Sequence, residues 1–228
     1  MTTTPTFEID QEEWGSRERY PDGIMTPYVP DKTIIHWGGT TAAGPGTFDY
    51  EAAALRGWQR YHMDTRGWKD VAYNYAIGAS GLIYRLRGEN RSGATSGDYE
   101  GDGIPENHEG RALAYIGGVG DVPTPSAMAA FDRFLRSVPA GEVVIGHNDV
   151  KATACPGPDL TAYIDSHAWL EPVVPSYRGV LNVPSWGEGV IDWGIASGVI
   201  VTSDEHPDDW DANATYGVVW ALLERALK

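Results

Sequence analysis

His147 and Cys155 stand eight residues apart in the stretch GHNDVKATACPG, residues 146–157, and Cys155 is the only cysteine of the chain. A lone thiol cannot form an internal disulfide, so it is a buried small hydrophobe, a nucleophile or a metal ligand. Imidazole and thiolate are donors that zinc prefers, and a catalytic zinc takes three protein ligands and keeps a fourth position open. His147 follows the apolar run EVVIG, and Cys155 sits in a loop held by Pro156-Gly157. A third ligand has to arrive from a neighbouring strand end. His36 is the best candidate, because TIIH, residues 33–36, reads as a short buried strand and the flexible Trp37-Gly38-Gly39 follows it. Two neutral imidazoles and one thiolate leave such a site with net positive charge, which activates water near neutral pH and polarises a carbonyl. Both effects suit amide hydrolysis. The spacing is not that of a zinc finger, and a rival reading stays open in which Cys155 is a nucleophile and His147 its base. Against the rival, Cys155-Pro156-Gly157 does not place the thiol at an obvious helix N-terminus that would lower its pKa.

The other histidines have plainer readings. His62 lies beside an apolar stripe and reads as packing or surface, and His167 reads as structural within a helix. His108, in a Gly-rich loop, and His206, in an acidic one, read as solvated.

Bringing three distant side chains together requires a scaffold, and the hydrophobic pattern supplies one. Residues 50–63 read as a helix with Leu55, Trp58, Tyr61 and His62 on one face. Two β-rich runs within 71–86 flank Ala79-Ser80-Gly81, which predicts a hairpin. The polar, Gly-rich run 88–110 is long for a structureless loop, and such loops are usually functional or mobile. Residues 112–120 and 142–146 read as strands, the second delivering His147 at its end. Residues 126–138 read as a helix burying Met128, Phe131, Phe134, Leu135 and Val138, and 159–170 as a helix capped by Asp159. Strands alternating with helices predict an α/β fold, a central mixed β-sheet flanked by helices. This first domain is expected to span 1–171. Three prolines, Pro172, Pro175 and Pro184, make 172–184 a stiff linker. Two amphipathic helical patterns within 185–228 form a module too small to be stable alone, so it must dock or pair with another copy.

Composition narrows the partners. The formal charge is −15 and no Lys/Arg stripe is present, which excludes a nucleic-acid footprint. An acidic chain gains nothing by approaching an anionic wall or membrane, so any wall-directed activity must rest on specific contacts and should improve as salt screens the repulsion. No run approaches the ~18 apolar residues of a membrane span. MTTTPTFEIDQEEW has no basic segment followed by an apolar one, so the chain is expected to be made in a cytosol and to leave by another route. Nine tryptophans suit surfaces that stack on sugars or partners, or ordinary core packing.

Five separate stretches resemble one family in its own order. GHNDVKATACPG resembles the C-terminal zinc motif of type-2 N-acetylmuramoyl-L-alanine amidases, which share their fold with peptidoglycan recognition proteins. TIIHWGGT resembles their first zinc-ligand strand, WKDVAYNYAIGASGLIYRLRG their hairpin and ALAYIGG the core strand that follows; EEWGSR resembles the start of a recognition-protein domain. The likeness runs from about Trp14 to Leu170. It implies Zn2+ held by His36, His147 and Cys155, and a transition-state hydrogen-bond donor at Tyr73. It places Thr153 where relatives carry Thr or Lys facing the reacting oxygen. Where many relatives have a second histidine this chain has Trp37, expected as a wall of the substrate groove. Asn74, within the Tyr73 motif, and Thr95, near a position often occupied by histidine, are the other expected substrate contacts.

The resemblance implies hydrolysis of the amide between N-acetylmuramic acid and L-Ala of peptidoglycan. The expected setting is a phage endolysin, present in the host cytoplasm and released to the cell wall on lysis. A non-catalytic peptidoglycan-binding module and a cytosolic muropeptide-recycling amidase are the alternatives. The tail resembles a single surface-layer-homology-type repeat, with a wall polymer as its candidate ligand, although Thr215-Tyr216 stands where that family usually has Thr-Arg. A docking or dimerising appendage accounts for the tail equally well.

Overall fold

A computed structural model of the chain describes residues 5–18, 28–39, 41–89, 93 and 97–170. All lie within one compact unit, Met1–Glu171. The expected linker and helix pair within 172–228, and Thr95, lie outside the described residues.

Five strands form one mixed sheet: β1 Lys32–Trp37, β2 Tyr75–Ile77, β3 Ile83–Arg85, β4 Gly110–Tyr115 and β5 Val143–Gly146. Their order is β3-β2-β4-β1-β5. Only the β2–β3 hairpin is antiparallel; β4 pairs in parallel with β2 and β1, and β1 with β5. The parallel centre explains the unbroken apolar runs of the sequence, since such strands are covered on both faces. Helices α1 (Phe48–Arg60), α2 (Pro125–Ser137) and α4 (Pro158–Ser166), with the single turn α3 (His147–Val150), supply the cover. Alternation along the strands sorts the core. Ile35, Tyr75, Ile77, Leu113 and Tyr115 face Phe131 and Phe134 of α2 and Leu160 and Tyr163 of α4. On the opposite face Ala76 and Ala114 meet Ala52, Leu55 and Trp58 of α1. The expected α/β architecture of a mixed sheet flanked by helices is the observed one.

Several element ends differ from the sequence pattern. The first helix passes at Tyr61–Thr65 into a π-helical turn, and Tyr61 is half exposed rather than on the apolar face. On α2 the buried stripe is Ala127, Ala130, Phe131, Phe134 and Leu135, whereas Met128 and Val138 are only half-buried. The small alanines let the helix lie close to the sheet, and the larger flanking residues seal the edge. Asp159 is not a cap: Gly157 holds the N-cap position and Pro158 opens α4, so Asp159 lies in the first turn, where its charge suits the helix dipole. His167 lies just past α4, as a left-handed cap.

Buried polar side chains weld the elements. Asn74, expected to touch substrate, is fully buried; its Oδ1 accepts from Ala112 N at 2.9 Å and its Nδ2 donates to Gly88 O at 2.9 Å. Its amide is a cross-link between the hairpin and β4, which corrects that expectation. Glu51 of α1 accepts from Ser80 N (2.8 Å), Ser80 Oγ (2.6 Å) and Tyr84 Oη (2.7 Å), locking the helix to the hairpin turn. A Cβ on Gly78 would come within 2.1 Å of that carboxylate, so only glycine fits there. Trp14 of EEWGSR is fully buried against the hairpin, its indole N–H donating to Arg85 O at 2.9 Å.

At the N-terminal end of the sheet, Arg111 is almost wholly buried and holds Glu89 (2.6 Å), Thr33 Oγ1 (2.9 Å) and Glu142. Removing one partner of a buried ion cluster leaves uncompensated charge, at a cost of about 3–5 kcal/mol. Arg111→Met should therefore lower the urea midpoint of the full chain by an amount equivalent to that loss; an unchanged midpoint would refute this account of the cluster.

Candidate metal centre

Strand register builds the first half of the site. β1 and β5 pair in parallel with Ile35 opposite Gly146, so the residues that follow, His36 and His147, come side by side. Their ring centroids are 4.4 Å apart at 49°. β5 ends there because α3 turns the chain at once, with Gly146 N donating to Asp149 Oδ2 at 2.8 Å.

The loop after α3 carries Cys155 back to the same place. Its Sγ lies 3.8 Å from His36 Nδ1 and accepts from Trp37 N at 3.3 Å. Thr153 Oγ1 accepts from Cys155 N at 3.2 Å, bracing the thiol from below. The return depends on Gly157: its φ is 91°, and a Cβ would meet the Trp37 ring at 2.3 Å. One ligand atom from each of His36, His147 and Cys155 lies within 4.8 Å of the others. His147 Nε2 is buried without a hydrogen-bond partner. Buried polar atoms are almost always satisfied, and a cation between these three donors would satisfy this one. Two imidazoles and a sulfur suit a transition-metal ion, zinc foremost.

The electrostatics agree. Burial, and then the neighbouring His147, hold His36 well below the usual histidine range. Burial and Lys151 lower His147 as well. Both rings are therefore neutral at pH 7, the form in which imidazole binds metal. Burial pushes the Cys155 thiol up to about 11 despite the Trp37 N–H. A thiol nucleophile needs the reverse, a depressed pKa beside an imidazolium. The metal reading and the nucleophile reading, open at the level of sequence, thus part company here.

A cleft of about 490 Å³ lies over the three donors. Trp37, Tyr73 and Thr153, expected around the site, all line it. Tyr73 packs its ring 5.2 Å from His36 and 5.4 Å from Trp58, with its hydroxyl 3.5 Å from Trp37 O. Burial, and then Cys155, raise its pKa, so it stays a neutral O–H donor. A second hollow of about 580 Å³ shares Gly38, His62 and Tyr73 with the first and runs along Trp58 and Tyr61.

His62, Arg66, Trp68 and Lys151 also line the cleft, and the sequence pattern did not single them out for it. His62 was expected as packing or surface. Its Nδ1 accepts from Ala72 N at 3.2 Å and its ring stacks on Trp68 at 5.0 Å, so Nε2 carries the proton. Burial, then Arg87 and Arg66, lower its pKa to about 4, which keeps it neutral. The π-helical turn after α1 rotates His62 off the apolar stripe, and nothing in the 3.6-residue pattern announces it.

Comparison with known proteins adds ancestry. No family model matches the chain. Over 179 residues it is 30% identical to peptidoglycan recognition protein 1 of Bos indicus, covering 75% of this chain and 86% of that protein. Over 117 residues it is 33% identical to an N-acetylmuramoyl-L-alanine amidase of Sus scrofa, covering 48% of this chain but only 18% of that protein. Among solved structures, a variant of Drosophila PGRP-LB in complex with tracheal cytotoxin superposes with a TM-score of 0.61 at 24% identity, covering 69% of this chain and 92% of that one. At that identity the likeness speaks for the fold alone.

The raised thiol pKa has a direct readout. A shift from 9.0 to about 11 leaves on the order of 100-fold less thiolate at pH 8. In metal-stripped protein, iodoacetamide should alkylate Cys155 correspondingly slowly, with the rate still rising above pH 10. Fast alkylation levelling off near pH 7 would show an activated thiol and restore the nucleophile reading.

Proposed function

This chain belongs to the family of peptidoglycan recognition proteins and N-acetylmuramoyl-L-alanine amidases, and from that premise we propose that it is a zinc amidase cutting between N-acetylmuramic acid and L-Ala of peptidoglycan. The observation that carries the reading is the convergence of one donor atom each from His36, His147 and Cys155 to within 4.8 Å of one another, lining the cleft. A module that only binds peptidoglycan has no need of a complete three-donor set.

His36, His147 and Cys155 would hold the ion. Bound there, zinc supplies a Lewis acid for the scissile carbonyl and lowers the pKa of water. The chain's own groups do the rest. Tyr73, kept as O–H by burial, donates to the oxygen that gains charge as the carbonyl becomes tetrahedral. Its ring is clamped between His36 and Trp58, so the donor is positioned before substrate arrives. Thr153 keeps its hydroxyl oxygen on Cys155 N, holding the ligand loop while its own O–H can reach into the cleft. His62, neutral with its proton on Nε2, offers a further donor on the opposite wall. Trp37 and Trp68 give flat faces against which a sugar ring or a stem peptide can lie.

The solved relative binds tracheal cytotoxin, a monomeric diaminopimelic-acid-type peptidoglycan, which supports the same class of ligand here. The setting of a phage endolysin, with residues 172–228 as a wall-binding appendage, belongs to the same proposal. Activity on intact sacculi exceeding that on soluble muropeptides would support it over a recycling role.

The reaction is tested by incubating the full chain with purified peptidoglycan and zinc and measuring newly exposed L-Ala amino groups. Wild type should release them; His147→Ala and Cys155→Ala should not. Tyr73→Phe should lower kcat by about 10²–10³ with little change in zinc content. Wall binding with no new amino groups from the zinc-loaded wild type would sink the amidase reading and leave a binding module.

A further inference from the structure

The second hollow, beside the metal cleft, has no task in the reaction described above. Its volume of about 580 Å³ is within the range that holds small-molecule ligands. One face of α1 and of the turn after it forms a wall: Ala54, Gly57, Trp58 and Tyr61 recur at helical spacing and line the hollow together. Gly57 stands out among them. Glycine inside a helix is less stable than alanine, because it has more backbone freedom to lose. It is usually kept there for a close approach. Gly38, which also lines the hollow, has that reason, since a Cβ on it would meet the Trp58 ring at 2.2 Å. Gly57 does not: it lies within α1, and among the described residues a Cβ on it would meet nothing within 4 Å. Packing within the chain therefore gives no reason for glycine at 57, whereas a ligand filling the open volume in front of it would.

The chemistry of the walls selects the occupant. Among the described residues no Asp, Glu, Lys or Arg lines the hollow. Tyr61 presents a half-exposed ring. Trp58 Nε1 donates to Thr41 Oγ1 at 2.7 Å, which leaves the threonine O–H able to donate into the hollow. His62, with its proton on Nε2, and the Tyr73 hydroxyl add neutral donors where the hollow meets the metal cleft. Aromatic surface edged by neutral N–H and O–H groups suits a ring that carries hydroxyl and acetamido groups, and it offers no counter-charge to an ionised peptide. The metal cleft differs, because Arg66 and Lys151 put two full positive charges there. The amide to be cut joins the lactyl arm of a sugar to a peptide, so a bound substrate has to leave the metal in two directions.

We propose that the hollow over Gly57 is a glycan subsite, which holds an N-acetylated sugar ring of the strand against Tyr61 and Trp58 while the stem peptide runs through the metal cleft. The assignment rests on the peptidoglycan reading given under the proposed function and names the part of the substrate that each hollow takes. Gly57 is then a specificity-determining residue: the side chain it lacks leaves the space that the sugar fills.

The test titrates the zinc-loaded full chain with the peptide-free disaccharide N-acetylglucosaminyl-N-acetylmuramic acid. Wild type should bind it saturably, with a Kd on the order of 10⁻³ M. Gly57→Leu puts a side chain into the hollow and should weaken binding by about tenfold or more. Its Tm should equal or exceed that of wild type, since leucine is the better helix former, so a loss of binding cannot be a loss of fold. Tyr61→Ala, at a half-exposed ring, should weaken binding by about threefold or more. In turnover, kcat/KM for a disaccharide-peptide relative to the same peptide carrying only the lactyl group should fall by about tenfold in Gly57→Leu, through KM. Undiminished disaccharide binding in both variants would overturn the proposal, as would a wild type that binds no disaccharide up to about 20 mM. Equal weakening of the sugar-free lactyl-peptide by Gly57→Leu would also overturn it, by giving the hollow to the stem peptide. Disaccharide binding requires no bond to be cut, so the two readings fail separately. Binding lost in Gly57→Leu without any amide hydrolysis by wild type sinks the amidase and keeps the subsite; hydrolysis with unaltered disaccharide binding does the reverse.

Discussion

The parallel pairing of β1 with β5 is the constraint from which the site follows. Setting Ile35 opposite Gly146 leaves no freedom in where His36 and His147 go: they leave adjacent strand ends with their rings 4.4 Å apart. At that distance and burial two imidazolium charges cannot coexist, so the pair is held neutral and electron-rich. The thiol of Cys155 arrives into the same low-dielectric space and keeps its proton for the same reason. A neutral, soft, three-donor pocket is thus the consequence of a sheet register, and it is stable only while something occupies or tolerates its unsatisfied nitrogen.

The rest of the fold holds that register through buried polar links more than through loop packing. Glu51 ties α1 to the hairpin, Asn74 ties the hairpin to β4, and Arg111 ties the N-terminal ends of β4 and β1 to Glu89 and Glu142. Each is a group whose burial is unfavourable unless satisfied, and each is satisfied by a partner distant in sequence. Such links specify one arrangement: a strand shifted by one residue would strand a charge as well as a hydrophobic side chain. Rigidity of this kind keeps the Tyr73 ring in place between His36 and Trp58.

Much of this was legible in the sequence. Apolar runs of four to six residues marked the parallel strands, and helical spacing marked α2, because in both cases burial on a defined face dictates residue type. His36, His147 and Cys155 could be grouped because strand ends and a Pro-Gly turn announce where side chains emerge. Asn74 could not be read correctly: a polar residue beside Tyr73 looks like a substrate contact until its amide is seen spanning Ala112 and Gly88. His62 was misplaced because a π-helical turn breaks the period on which its face was assigned. Asp159 failed as a cap because Gly157, with its positive φ, and Pro158 already begin the helix. Contacts made across long sequence separation, and local departures from ideal periods, leave no trace in spacing.

The central claim is that one zinc ion is gripped by two imidazoles and one thiolate of this chain. X-ray absorption at the zinc edge of the full-length protein tests it most directly. The account expects a single sulfur at about 2.3 Å with nitrogen or oxygen neighbours near 2.0–2.1 Å, and loss of the sulfur shell in Cys155→Ala. A zinc shell of nitrogen and oxygen alone in the wild-type protein would contradict it.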